Sequence, residues 1–173
     1  MKVIVDVDGV LANVDSVLDS INVSNGTTIT NKEAWGIHNA NIQGVDIGKE
    51  IMKFYRNDEL LYNLPIMDGA KMGMFHLYSR HYVIICTNRS KKMQPTTEIW
   101  LAKNGIKFHE YMSVRDKARV NADVMIDDSP HNILPWVRTG RKAYVFDHPW
   151  NEGLKSGGLI ERVYSWRNLM QLL

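Results

Sequence analysis

A short apolar run near the start of the chain, Val3-Ile4-Val5, leads straight into Asp6-Val7-Asp8-Gly9. The segment Lys2 to Val7 reads as a strand, and its continuous Val/Ile character is that of a strand buried on both faces, as in a parallel sheet covered by helices. Side chains alternate along an extended chain, so Asp6 and Asp8 project to the same side. Two neighbouring carboxylates repel each other and need a cation or a shared proton. A strand tip has no structural use for such a pair.

The same arrangement recurs. Tyr82 to Cys86 is an apolar strand that ends in Thr87-Asn88-Arg89, Ala122 to Ile126 ends in Asp127-Asp128, and Lys142 to Phe146 ends in Asp147. Weaker strand character lies in Tyr111 to Val114. Between the strands, helical spacing is found over Leu11 to Ile21, Ile47 to Tyr55 and Ala70 to Tyr78, and a closing amphipathic helix is expected over Val163 to Leu172. Thr30 and Glu33 form a capping box that opens a short helix through Trp35. Pro95 suits a first helical turn and Gly105 its C-terminal end, while Ser129-Pro130 starts another helix. Alternating strands and helices imply an α/β fold with a parallel sheet. In such folds ligands bind at the carboxyl edge of the strands, where Asp6, Thr87, Asp127 and Asp147 all stand. The pieces between residues 22 and 65 are short and weakly apolar. They are expected to form a small helical insert on a core made of residues 1–21 and 66–173, without a core of their own.

Composition narrows the function. A single cysteine, Cys86, excludes an intramolecular disulfide and a multi-cysteine zinc site. The net charge of +2 argues against a stable nucleic-acid partner. Residues 89 to 119 nevertheless carry eight Lys/Arg against three acids, a bias that reads as a solvated face or as a field drawing anions to the rim. No apolar run is long enough to cross a bilayer, and Met1-Lys2 leads directly into a strand with no signal-peptide core. The expectation is a soluble cytoplasmic protein with no membrane association, with a homodimer left open.

Gathering Asp6, Asp8, Asp127 and Asp128 concentrates negative charge that a hard cation such as Mg²⁺ resolves with oxygen ligands. A carboxylate can also serve as a nucleophile toward phosphorus, and Lys117 and Thr87 are available to neutralise a phosphoryl group. Arg115 and Arg119 flank Lys117 as rivals for that task.

These residues resemble the motifs of the haloacid dehalogenase-like (HAD) phosphatases: Asp6-Val7-Asp8-Gly9-Val10 the first, Thr87 the second, Lys117 the third and Asp127-Asp128 the fourth. More narrowly, the chain resembles the 5'(3')-deoxyribonucleotidases. The strings that carry this are Asp6 to Ala12, Met67-Asp68-Gly69-Ala70, Ile85-Cys86-Thr87, Asp116-Lys117, Asn121-Ala122-Asp123, Ile126-Asp127-Asp128 and Phe146 to Asn151.

The resemblance implies a three-layer Rossmann-like core, with residues 22–65 as a small cap, and a Mg²⁺-dependent phosphatase acting on deoxyribonucleoside monophosphates through an aspartyl-phosphate. Asp6 is then the nucleophile and Asp8 the acid–base. The Asp6 carboxylate, the Asp8 main-chain carbonyl and Asp127 hold the metal, with Asp128 behind them. Thr87, the Asn88 amide, Arg89 and Trp35 bind the substrate, and Lys117 neutralises the reacting pair. The family often carries an aromatic residue two positions after Ala12, where it stacks on the base; here that residue is Val14, so Trp35, Phe54 and Tyr55 become the stacking candidates. The alternatives are a HAD phosphatase for another small ester or a nucleic-acid 3' phosphate, and a non-catalytic phosphate-binding module.

Overall fold

A computed structural model describes residues 1–36 and 41–173. Strand β1 (Lys2–Val5) lies at the centre of the sheet. It is flanked on one side by β4 (Tyr82–Thr87) and β5 (Glu110–Ser113), and on the other by β6 (Val124–Asp127), β7 (Lys142–Phe146) and β8 (Ile160–Val163). All five neighbouring pairs are parallel. The period of two divides the sheet's residues between two cores. Val3, Val5, Val83, Ile85 and Ile126 face one cluster; Ile4, Ile84, Cys86, Met125 and Val145 face the other. The second face is covered by α7 (Pro130–Val137) through Ile133 and Trp136. The first is covered by α1 (Asp15–Asn25), α5 (Ala70–Arg80), α6 (Gln94–Lys103) and α8 (Trp166–Leu169). The α/β class read from the sequence is the observed one, with helices on both faces of a six-stranded parallel sheet.

Between α1 and α5 stand α2 (Asn31–Gly36), a two-stranded hairpin of β2 (Asn41–Ile42) and β3 (Val45–Asp46), α3 (Ile47–Tyr55) and α4 (Asp58–Tyr62). Glu33 accepts from the Thr30 N–H at 2.8 Å and its Oγ1 at 2.6 Å, so the capping box starts α2. Ile47, Phe54 and Leu61 of this segment belong to the same apolar cluster as β1. Thr96 donates to Asp58 at 2.6 Å and Trp100 Nε1 to the Leu64 carbonyl at 2.7 Å, tying the segment to α6.

Two expectations need correction. Helix α1 begins at Asp15, not Leu11: residues 7–12 wind a tight loop in which the Leu11 and Ala12 N–H groups both donate to the Val7 carbonyl, at 2.9 and 2.8 Å. Leu11 and Val14 are buried by that loop, which mimics helical spacing. The expected helix from Val163 is instead strand β8 followed by a single helical turn capped by Ser165, whose side chain accepts from the Asn168 N–H at 3.1 Å. Ile160-Glu161-Arg162-Val163 is a short edge strand carrying charges, the usual way an exposed sheet edge is kept from further pairing.

Trp166 of that turn is fully buried and donates from Nε1 to the Val10 carbonyl at 2.9 Å, steadying the loop after β1. Its ring lies on Gly73 of α5, where an added Cβ would stand 2.1 Å from Cε3. Gly73→Ala gains about 1 kcal/mol of helix propensity, but overpacking against a ring that cannot retreat costs roughly 1–3 kcal/mol or more. The net expectation is a loss of about 1–2 kcal/mol, read as a lower urea midpoint at unchanged slope. Among the described residues, no helix is long and apolar enough to cross a membrane.

Candidate active site

The loop from Asp6 to Asn13 leaves the centre of the sheet at its carboxyl edge. The Asp6 N–H is still held by the Ile126 carbonyl at 3.0 Å, which fixes Asp6 beside the end of β6. Asp6 Oδ1 accepts from the Val7 N–H at 2.8 Å and lies 2.9 Å from Lys117 Nζ. Oδ2 takes no hydrogen bond from the described residues, and Asp6 lines the main cavity. Gly9 has φ of 75°, and a Cβ there would meet Asp128 Oδ2 at 2.6 Å, so the close approach of this loop to Asp128 requires glycine.

Lys117, delivered by the turn Lys117–Arg119, is buried between two carboxylates; its Nζ lies 2.6 Å from Asp127 Oδ2. Asp127 is held further by the Ser129 N–H at 2.8 Å and by Asn132 Nδ2 at 3.1 and 3.0 Å. Carboxylate oxygens of Asp6, Asp127 and Asp128 come within 4.8 Å of one another, all buried. One lysine does not balance three such acids. Burial pushes the Asp6 carboxyl up to about 7, with Asp127 and Asp8 adding to the rise and Lys117 opposing it. Asp128 is raised well above the usual carboxylate range, first by burial and then by Asp127 and Asp6. The Lys117 ammonium is opposed by burial, but Asp127 and Asp6 outweigh that and raise its pKa. A dry all-oxygen cluster with excess negative charge is the donor set that suits a hard divalent cation.

The cavity in front of the cluster has a volume of about 740 Å³. Its lining includes the polar residues Asp6, Asp8, Thr87, Asn88, Arg89 and Asp128 and the apolar or aromatic residues Val14, Trp35, Ile51, Tyr55 and Trp150. Of the residues singled out from sequence, Asp6, Lys117, Asp127 and Asp128 meet in one cluster, and Thr87, Asn88 and Trp35 lie around the cavity. The Asp8 carboxylate is turned to Arg89 and Tyr55 and lies outside the three-acid group. The Arg89 guanidinium is committed to Asp8 and to Thr97 Oγ1 at 3.1 Å. Phe54 is buried in the core and does not line the cavity. Asp147 stands apart, exposed and paired with Arg162 at 2.6 Å, so only three of the four strand-end groups converge. Arg119 pairs with Asp116 at the surface, while Arg115 lines the cavity.

Several contributors were not identified from sequence. Trp150 Nε1 donates to Asp128 Oδ2 at 2.8 Å, and its ring stacks on His148 at 4.1 Å and stands 5.9 Å from Trp35. His148 Nε2 donates to the Gly9 carbonyl at 2.6 Å. Asn151 Nδ2 donates to the Asp128 and Phe146 carbonyls, both at 2.7 Å. The segment after β7 is thus a brace for the acidic cluster, and its dense polar–aromatic string was the signal. Asn132 left none, and Tyr55 was singled out only as a stacking candidate, not as a partner of Asp8.

A parallel α/β sheet with this acid cluster at its carboxyl edge has a HAD-like fold, and the chain's family makes it a phosphoric monoester hydrolase. The family described as "5' nucleotidase, deoxy (Pyrimidine), cytosolic type C protein" matches residues 1–173, and the chain belongs to that family. Among solved structures, the HAD hydrolase YfnB from Bacillus subtilis, bound to magnesium, is 14% identical, with 99% of this chain and 97% of that one covered at a TM-score of 0.65. CbbY from Rhodobacter sphaeroides, in complex with xylulose-(1,5)-bisphosphate, is 13% identical, with 97% and 95% covered at 0.62. The L-2-haloacid dehalogenase from Xanthobacter autotrophicus is 10% identical, with 99% and 97% covered at 0.63. At these identities the likeness is one of fold. No curated protein sequence matches the chain.

Proposed function

We propose that the protein hydrolyses deoxyribonucleoside monophosphates, with Asp6 as nucleophile and residues 22–65 as the cap over the nucleoside. The observation that carries this reading is the Asp6 carboxylate itself. One oxygen is pinned by Val7 and Lys117, and the other is left without a donor from the described residues beside a cavity lined by both polar and aromatic side chains. Family membership supports a nucleotide, and Trp35, Trp150 and Val14 offer apolar surface for a base.

Asp6 Oδ2 attacks phosphorus, the bond from phosphorus to the ester oxygen breaks, and that oxygen takes a proton from Asp8. Water then attacks the aspartyl-phosphate and gives a proton to Asp8; the Asp6–phosphate bond breaks, restoring the carboxylate and releasing phosphate. The Thr87 hydroxyl and the main-chain N–H groups of Asp8 and Asn88, which donate to no described residue, are available to phosphate oxygens. Lys117 holds the charge of Asp6 in place during both steps. Asp6, Asp127 and the Asp8 carbonyl, with Asp128 behind them, would hold Mg²⁺. When bound, the ion supplies positive charge against the phosphoryl oxygens.

A panel of nucleoside 5'- and 3'-monophosphates and sugar phosphates, assayed with and without Mg²⁺, tests the substrate. Phosphate release from deoxynucleotides that requires Mg²⁺ is expected. Preference for sugar phosphates would transfer the reading to another small ester.

The metal has a second signature. With Asp6 raised to about 7, the metal-free fold holds more protons than the unfolded chain from the ordinary carboxylate range up to about pH 7. Stability is therefore full below that window and lost as pH rises through it, by an amount on the order of 2–4 kcal/mol. Thermal melts of metal-free protein should fall from about pH 5 to about pH 8, and Mg²⁺ should raise the midpoint more at the higher pH.

A further inference from the structure

Asp8 is the half-exposed member of the site, and a short side chain in that position has rotamer freedom to lose. Two residues remove it. Arg89 donates to Asp8 through Nε to Oδ2 at 2.9 Å and through Nη2 to Oδ1 at 2.6 Å. Tyr55 donates its hydroxyl to Oδ1 at 2.9 Å. Arg89 is itself fixed: it is buried, its Nη1 donates to Thr97 Oγ1, and Thr97 donates to the Met93 carbonyl at 2.8 Å. Its guanidinium also lies 5.4 Å from the centre of the Tyr55 ring. Two separate elements, the turn after β4 and helix α3, thus converge on the carboxylate that the loop after β1 carries.

The pattern is all donors, so both oxygens of the carboxylate act as acceptors. Such a group has about four acceptor positions. Oδ1 has both of its positions filled and Oδ2 has one, which leaves a single acceptor position on Oδ2.

We infer that Tyr55 and Arg89 are positioning residues for Asp8 in the hydrolysis of the aspartyl-phosphate, aiming the remaining acceptor position of Oδ2 at the attacking water. In that step the water's oxygen bonds to phosphorus, its proton passes to Oδ2, and the bond from phosphorus to Asp6 breaks. Arg89 then acts through Asp8, to which Nε and Nη2 are given, while Nη1 is given to Thr97. Because Tyr55 belongs to α3, the base is oriented only while that helix is seated on the site. This inference rests on the proposed Asp6 chemistry.

Single-turnover mixing with ³²P-labelled 4-nitrophenyl phosphate, whose leaving group needs no proton from Asp8, is quenched in acid and separates the two steps by following formation and decay of phosphoenzyme. Tyr55→Phe keeps the ring and removes only the donor, and a thermal melt reports its folding. Its phosphoenzyme should form at a rate within about twofold of wild type and decay about tenfold more slowly. Arg89→Lys, which keeps the charge but cannot bridge both oxygens, should slow decay less than Arg89→Met. Unchanged decay in Tyr55→Phe, or formation slowed as much as decay, overturns the assignment. A wild-type protein that forms no phosphoenzyme from any ester overturns the Asp6 reading and this one with it. Phosphoenzyme in the wild type with an unaltered variant overturns this one alone.

Discussion

Asp6→Asn is expected to lower phosphate release by at least about 10⁴-fold while making the metal-free protein more stable. Both effects come from one carboxylate. The proposed nucleophile is the oxygen left without a donor from the described residues, and an amide in its place is a poor nucleophile toward phosphorus. The same group is buried beside Asp127 and Asp128, where its charge is costly enough to raise its pKa to about 7. An uncharged side chain of the same shape relieves that repulsion, although Lys117 then loses one of its two partners. The balance is a gain of about 2 kcal/mol near pH 8, vanishing in acid where Asp6 is already neutral. Steady-state assays and paired melts at the two pH values check it. A variant that is inactive and less stable at both would mean that Asp6 supports the fold, contrary to its electrostatics.

Lys117→Met is expected to fail in the opposite way, losing both activity and stability. The ammonium lies 2.9 Å from Asp6 and 2.6 Å from Asp127, with its side chain only 1% exposed. Removing one partner of a buried ion pair leaves uncompensated charge and costs about 3–5 kcal/mol. Loss of its field at the reacting carboxylate should cost about 10³-fold in turnover. Asp127→Asn in the same chain should recover much of the stability and none of the activity, since Asn132 and Ser129 still have a partner in the amide oxygen. Urea unfolding of the four proteins of this cycle isolates the pair. Independent, additive losses would mean that the two side chains do not act on each other.

What was legible in the sequence follows from distance along the chain. Asp6, Thr87 and Asp127 could be placed because each ends an apolar run, and the end of a parallel strand is a fixed place in an α/β fold. The partners of Asp8 could not. Tyr55 is 47 residues away and Arg89 is 81, and nothing local tells which way either side chain points. Arg89 looked like a phosphate ligand because it follows Thr87; packing turned it toward Asp8 and Thr97. Asp147 ends an apolar run as well but does not join the other three because Arg162 of β8 takes it, and β8 ends at Val163, where the closing helix was expected to begin. Helix α4 was missed although Asn57 caps it, accepting from the Glu59 and Leu60 N–H groups at 3.0 and 3.1 Å.

The electrostatic design links these parts. The cluster at the sheet edge is unfavourable when alone, which is the cost of keeping a nucleophile dry beside two further acids. The fold offsets it with Lys117, with Asn132 on Asp127, with Trp150 on Asp128, and with a place for a cation. The large apolar cores on both faces of the sheet supply the stability against which this strain is held.

The central claim is that the phosphoryl group passes through Asp6. Wild-type protein with Mg²⁺ and a ³²P-labelled deoxynucleoside 5'-monophosphate, quenched in acid within one turnover and digested, locates it. The expected result is a base-labile label on the peptide that carries Asp6, appearing before free phosphate and absent from Asp6→Asn. Label on a peptide carrying Asp127 or Asp128, or free phosphate formed in step with nucleoside and with no labelled peptide at any time, would contradict it.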